Sequence, residues 1–382
     1  MTGRERLKNA IIGNKTDRAP IWLREGFNNP SVADRNPFAL GWQKNPIYLD
    51  LWEYVRDRIV FFSGWGMGRS FNRFIMVPPD RIQNDPPVME NDTRTIRGRI
   101  MLQGGNSLTY IQKAKQGVNT GWTEKHAVET LEELEALASV PFTIPSEYDT
   151  DVIRENYRHV VETGGDNSYP LTGLSSPIVT ISNCMSFQLF LELSLTEKAY
   201  FHGLLKEITR RNLLLLEKVF RDFTPDTAVN IGGSEQCTPP MMSPQAYDEY
   251  VVPYDGVIVA WLKARGIPAH CHCHGKVSRA LQCMIDMGFS STDPVEPPPA
   301  GDVTYAQARA IAGDKLTLFG NMEFNEFEHR DPAWIRGRVK EILSMGHHRL
   351  VLGSSAGPIS AVSQQLADNY KAFVDAADEF SV

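Results

Sequence analysis

Ile267-Pro268-Ala269-His270-Cys271-His272-Cys273-His274-Gly275, followed by Lys276-Val277-Ser278-Arg279-Ala280-Leu281, reads as a buried strand that feeds a helix. Three His and two Cys alternate over five residues, in a chain with nine His and five Cys in all. In an extended backbone, a period of two puts His270, His272 and His274 on one face and both thiols on the other. The ligand-type side chains stand at the C-terminal end of the strand, where barrel proteins assemble their sites.

Outward from this stretch the pattern is regular. From residue 150 on, expected strands at Tyr169–Leu174, Thr227–Ile231, Ile267–Cys271, Gly288–Asp293, Leu316–Gly320 and Arg349–Gly353 alternate with amphipathic helices. Strands separated by helices of 10–20 residues make parallel βαβ units. With Ala19–Leu23 and one strand that the pattern does not locate, the set suits a (β/α)8 TIM barrel; a doubly wound open sheet is the alternative. A length of 382 residues fits one barrel domain over 1–382. The chain opens with a short helix over 2–13. Residues 27–92 are rich in Pro, Asn and aromatics, with a helix near 47–60, and read as an irregular cap. Residues 93–127 alternate polar and apolar around Gly104-Gly105-Asn106, which predicts a small antiparallel sheet. The stretch 27–130 is thus a cap and hairpin appendage.

The formal net charge of -7 argues against nucleic acid or an anionic membrane surface as partner. No run reaches the roughly 18–20 apolar residues of a membrane span. An odd cysteine count without an apolar leader predicts a reduced, cytoplasmic protein.

Several strand ends carry candidates for one mouth: Arg24-Glu25-Gly26, Gly232-Gly233-Ser234-Glu235-Gln236-Cys237, Val295-Glu296, Asn321-Met322-Glu323 and Ser354-Ser355. Two imidazoles at i, i+2 share a face and can ligate one ion; Glu235 from a neighbouring strand completes a three-ligand zinc site open to substrate. Cys237, Cys271 and Cys273 are further ligand candidates. The same imidazoles can also serve as acid–base groups without a metal. Glu235, Glu296, Glu323 and Arg24 are the candidate catalytic residues. Two motif matches fail on context. Gly64-Trp65-Gly66-Met67-Gly68 lacks the spacing of a dinucleotide loop. Gly353-Ser354-Ser355-Ala356-Gly357 fits a nucleophile elbow, but no His follows it.

Arg4-Glu5-Arg6-Leu7, Asp17-Arg18-Ala19-Pro20-Ile21-Trp22-Leu23-Arg24, Ser243-Pro244, Tyr250, Pro253-Tyr254, the His-x-His-Gly stretch, Gly320-Asn321 and Asn369-Tyr370 occur in the order seen in the uroporphyrinogen decarboxylase superfamily, which the chain resembles over nearly its whole length. The resemblance implies a (β/α)8 barrel. True decarboxylases of the family carry Arg-Gln-Ala-Gly-Arg after the Trp. Here Arg24 is followed by Glu25, Gly26, Phe27 and Asn28, which loses one Arg and adds an acid. The corrinoid-dependent methyltransferase branch holds zinc with His-x-Cys and a later Cys. Set on Gly275, His272 takes the His place and His274 the first Cys place, while Ser355-Ala356 stand where the later Cys would fall.

That comparison implies an imidazole and carboxylate shell, His272 and His274 with Glu235, and Glu323 as the second choice. Such a shell suits an oxygen ligand. The expected activity is transfer of a methyl group from a small ether-type donor to cobalamin on a separate corrinoid protein. Glu235, Glu296 or Glu323 would donate the proton, and a second copy of the chain is a further candidate partner. The rival readings are a metal-free lyase or decarboxylase of a small carboxylated substrate, and a non-catalytic corrinoid- or tetrapyrrole-binding protein.

Overall fold

The computed structural model describes residues 1–24, 26–66, 77–144 and 148–381. Its strands, in chain order, are β1 (Ile21–Trp22), β2 (Phe61–Gly64), β3 (Ile82–Asn84), β4 (Val88–Glu90), β5 (Thr93–Met101), β6 (Ser107–Lys115), β7 (Gly121–Lys125), β8 (Ser168–Ser175), β9 (Ala228–Gly232), β10 (Ala269–His272), β11 (Ser291–Val295), β12 (Thr317–Met322) and β13 (Leu350–Ser354). Eight of these form one parallel sheet in the order β1-β13-β12-β11-β10-β9-β8-β2. The ends of that sheet come together. The Val60 amide donates to the Ile21 carbonyl at 2.8 Å, and Trp22 meets Phe62 edge-on at 5.2 Å. Helices follow the strands on the outside, and the result is a nearly closed (β/α)8 TIM barrel. The open doubly wound sheet is excluded.

The strand that the sequence pattern left unplaced is β2. It falls inside the stretch read as an irregular cap. The helix there runs only over Pro46–Val55, opened by the Asn45 side chain accepting from the Tyr48 amide. The apolar run Ile59-Val60-Phe61-Phe62 then enters the barrel, paired with β8 from Phe61 opposite Ser168 to Gly64 opposite Leu171. A helix expected to reach residue 60 had absorbed these residues. The dinucleotide-like motif begins here at Gly64-Trp65-Gly66, and Met67-Gly68 lie outside the described residues. Trp65 is buried, with its indole N–H on the Thr227 hydroxyl at 2.8 Å.

Two accessory pieces stand at the barrel's ends. The helix Gly3–Ile12, held by a Thr2/Glu5 capping box, plugs the floor. Its Leu7, Ala10 and Ile11 pack with Trp22, Tyr169, Ala228, Phe319 and Val351 in one apolar cluster. Thr317 also donates to the Ala10 carbonyl at 2.6 Å. Between β2 and β8 the chain builds the expected antiparallel sheet from β3 to β7, turning through Gly104 and Gly105 at φ 77° and 88°. The tip of its β6–β7 hairpin reaches the segment after β13, where the Asn119 amide donates to the Ile359 carbonyl at 2.7 Å. The sheet therefore borders the C-terminal rim. Among the described residues no helix is long and apolar enough to cross a membrane.

One buried acid gives the fold a pH signature. Asp255, on the helix Val252–Lys263, accepts from the Ser176 hydroxyl at 2.9 Å, and burial pushes its carboxyl up to about 7. A raised folded-state value means that this contribution is complete below the unfolded value near 4 and is lost as pH rises through about 7. Asp255→Asn is therefore expected to gain on the parent protein by roughly 2–3 kcal/mol between pH 5 and pH 8. Urea midpoints at the two pH values check this.

Candidate active site at the barrel mouth

Three strand ends meet on a single carboxylate. In β10, His270 and His272 face the barrel interior, and the register sets His272 directly opposite Asp293 of β11. His270 is 2% exposed, with Nδ1 at 2.7 Å from the Ser291 hydroxyl and Nε2 at 2.5 Å from Asp293 Oδ1. His272 sets Nδ1 at 3.0 Å from Asp293 Oδ2, and the buried Arg24 guanidinium reaches the same oxygen from the end of β1. Arg24 also lies over the Trp22 ring, 4.9 Å from its centroid, and takes a left-handed φ of 75°. Burial alone would raise the Asp293 carboxyl. Arg24 first, then His272 and His270, outweigh it and hold the group well below the usual carboxylate range. Asp293 is thus a fixed negative charge under the mouth.

His274 repeats the arrangement one step further out. Its Nδ1 lies 2.9 Å from Glu296 Oε1, while Glu296 Oε2 accepts the Gly275 amide at 2.7 Å. Gly275 sits at φ 90°, which favours glycine and turns its amide toward the acid. Burial opposes the charge on Glu296, but His274 and the Gly275 amide prevail and lower its pKa. The His272 and His274 rings stand 4.9 Å apart at 84°. Each imidazole is therefore backed at Nδ1 by a carboxylate, which fixes Nδ1–H and makes Nε2 the nitrogen for ligation or proton transfer.

Glu323 behaves in the opposite way. It follows β12, takes a hydrogen bond from the Ser355 hydroxyl at 2.9 Å on Oε1, and has no partner for the buried Oε2 among the described residues. Burial raises its pKa, and the negative charge of Glu296 adds to the effect. Glu235, on the short turn Ser234–Cys237 after β9, likewise has a buried Oε2 without a partner among the described residues. The thiols lie elsewhere. Cys237 and Cys273 are 0% exposed and Cys271 1%, with Cys271 Sγ 3.9 Å from the Tyr247 hydroxyl, on the side of β10 that packs under the outer helices. Burial pushes all three thiols well above their ordinary values. Glu25 lies outside the described residues.

Of the residues singled out in the sequence, His272, His274, Glu296 and Arg24 are thus linked through Asp293 and Glu296. Glu323 neighbours Glu296, and Glu235 stands on the adjoining strand end. Asp293 was not among them. Its signal was an acid within a strand that is otherwise buried, one strand over from two imidazoles, because a buried carboxylate needs partners. For zinc, the donor chemistry of the carboxylate-backed imidazoles and the unpartnered Glu235 oxygen fits. As placed, the described residues contain no group of three His, Cys, Asp or Glu side chains that could hold a metal ion.

A barrel with imidazoles and acids gathered at its strand ends has the layout of a barrel enzyme. Residues 117–380 match the uroporphyrinogen decarboxylase (URO-D) family, and the chain belongs to that family. The match covers β7 to the last helix and leaves β1 to β6 outside it. Among curated proteins, none matches the sequence. A methyltransferase from Methanosarcina mazei shares the fold at a TM-score of 0.63 with 16% identity, over 100% of both chains. A candidate vitamin-B12-independent methionine synthase from Listeria monocytogenes aligns over 96% of this chain and 97% of its own at 12% identity, with a TM-score of 0.43, too low to carry an argument.

Removing the central acid leaves Arg24 buried without its main counter-charge. Asp293→Ala is expected to lower stability by about 3–5 kcal/mol in urea unfolding. The pair Arg24→Met with Asp293→Leu is expected to recover a large part of that loss, because the uncompensated charge is gone.

Proposed function

We propose that this member of the family is a methyltransferase, which moves a methyl group from a small oxygen-bound, ether-type donor to a separate corrinoid protein. The observation that carries this reading is the pair His272 and His274, each backed at Nδ1 by an anionic carboxylate. An imidazole that ligates a divalent metal is usually backed at its other nitrogen in this way. His272, His274 and the unpartnered oxygen of Glu235 are the groups that would hold zinc. When bound, the metal supplies Lewis acidity toward the departing oxygen, and the corrinoid of the partner accepts the methyl group.

The chain's own residues supply the rest. Asp293 and Glu296 keep both imidazoles in one tautomer and orientation. Glu323, whose pKa burial raises, would give the proton to the oxygen that leaves as the oxygen–methyl bond breaks. Arg24 serves as a positioning residue. Its ion pair with Asp293 leaves it poorly suited to bind a substrate carboxylate, which weighs against the lyase of a small carboxylated substrate. The Methanosarcina mazei protein that shares the fold is a methyltransferase, which supports the transfer of a methyl group as the class of reaction.

Two measurements test the reading. Protein reconstituted with zinc is expected to hold about one ion per chain, and His272→Ala less than roughly 0.2, by elemental analysis. Full activity without metal would overturn the metal's role. Spectroscopic titration of cob(I)alamin with methyl ethers is expected to yield methylcobalamin only in the presence of the protein. Cobalamin binding without any methyl transfer would support the binding-protein reading instead. Glu323→Gln is expected to slow transfer by about 10²–10⁴-fold, and by less with donors whose leaving oxygen is that of an acidic phenol. An equal loss for all donors would remove Glu323 from proton donation.

A further inference from the structure

The two halves of the barrel interior differ. On β11, β12 and β13 every residue is buried. On β8 and β9 the inward-facing Leu171, Gly173, Ser175, Asn230 and Gly232 are part-exposed, whereas their outward neighbours Thr172, Leu174, Val229 and Ile231 are buried under helices. On β2, Phe62 is part-exposed and Gly64 exposed, and on β10 His272 is 25% exposed. Solvent therefore enters one side of the barrel from the mouth, down to the level of Phe62 and Leu171, while the other side is filled by Trp22, Phe319, Val351 and the Asp293 cluster.

Three glycines keep this side open. Gly64, Gly173 and Gly232 stand on adjacent strands at the upper inward positions, and none has the left-handed φ that requires glycine. A Cβ on Gly64 meets nothing within 4 Å among the described residues. On Gly173 it comes no nearer than 3.5 Å to Asn230, and on Gly232 no nearer than 3.5 Å to Asn230 and 3.6 Å to His272, which are ordinary contacts. Neither backbone conformation nor close packing explains these glycines, and in a strand interior glycine is a cost. What they create is space beside His272. Asn230 supplies the polar point of that space through Nδ2, which lies 3.5 Å from where a Cβ on Gly232 would stand, while its Oδ1 is buried.

We infer that this half of the barrel is the specificity pocket, and that it takes a neutral, ring-sized group bearing one polar substituent. Phe62 and Leu171 form its floor, the three glycines set its width, and the Asn230 amide reads the substituent. This rests on the reading of His272 as the reacting end of the site and deepens it: the donor carries a ring and is larger than a one-carbon alcohol. The class is neutral because the cation at this level, Arg24, is committed to Asp293.

Binding to metal-stripped protein, followed by ligand-observed NMR, separates this inference from methyl transfer. Methoxybenzene and 4-methoxyphenol are the probes. Gly173→Val and Gly232→Val are expected to weaken both by about tenfold or more, since added methyl groups fill the space. Gly337→Ala, on an outer helix, is expected to change neither. Asn230→Leu is expected to weaken 4-methoxyphenol and leave methoxybenzene unchanged. Thermal denaturation confirms that each variant folds. If folded glycine variants bind both probes like the parent protein, or if the parent binds neither at millimolar concentration, the pocket assignment is overturned. Pocket-dependent binding without methyl transfer to cob(I)alamin would keep the pocket and sink the methyltransferase.

Discussion

The arrangement depends on one buried carboxylate. Asp293 meets Arg24, His270 and His272 from strands β1 and β10, and no one of these could be buried in its present state without the others. An isolated ion in a barrel interior is costly by several kcal/mol. Here the acid is satisfied by a guanidinium and two imidazole nitrogens, and His270 is satisfied in turn by Ser291. The same contacts that make the burial tolerable also orient His272. Stability and site geometry are thus set by a single group, and the outward residues His274 and Glu296 repeat its logic with a backbone amide in place of the guanidinium.

This network also divides the acids of the mouth into two kinds. Asp293 and Glu296 are held anionic by positive partners and N–H donors, whereas Glu323, with a hydroxyl and a neighbouring negative charge, is pushed toward its protonated form. Carboxyls driven apart in this way are suited to different work, fixed charge on one side and proton storage on the other. The raised value of Glu323 depends partly on Glu296 being charged. The imidazole that keeps Glu296 ionised therefore also contributes to the upward shift of Glu323.

Much of the barrel was legible in the sequence because a parallel strand buried on both faces is a short apolar run between helices. The split between imidazoles and thiols around residues 269–275 was legible for the same reason, since a period of two needs no tertiary information. Strand β2 was not, because only Arg56-Asp57-Arg58 separate the helix from its four apolar residues, with no Gly or Pro to mark that the helix has ended. Asp293 was missed for a different reason. Its partners stand 269, 23 and 21 residues away in sequence, and only the closing of the barrel brings them together. Glycines at inward strand positions likewise read locally as weak points of a strand. Their meaning comes from what stands across the barrel.

The asymmetry of the interior follows from the same network. A barrel of eight strands is just wide enough to be filled by side chains, so a cavity has to be made by leaving some out. The β11–β13 side cannot be emptied, because Asp293 must stay away from water to keep its partners and the aromatic rings of Trp22 and Phe319 shield it. Space can be opened only on the side away from that carboxylate, and the glycines of β2, β8 and β9 stand there. His272 lies on the boundary, with Nδ1 on the dry acid and its ring edge toward the wet half. It is the one imidazole of β10 that both the network and a ligand can reach.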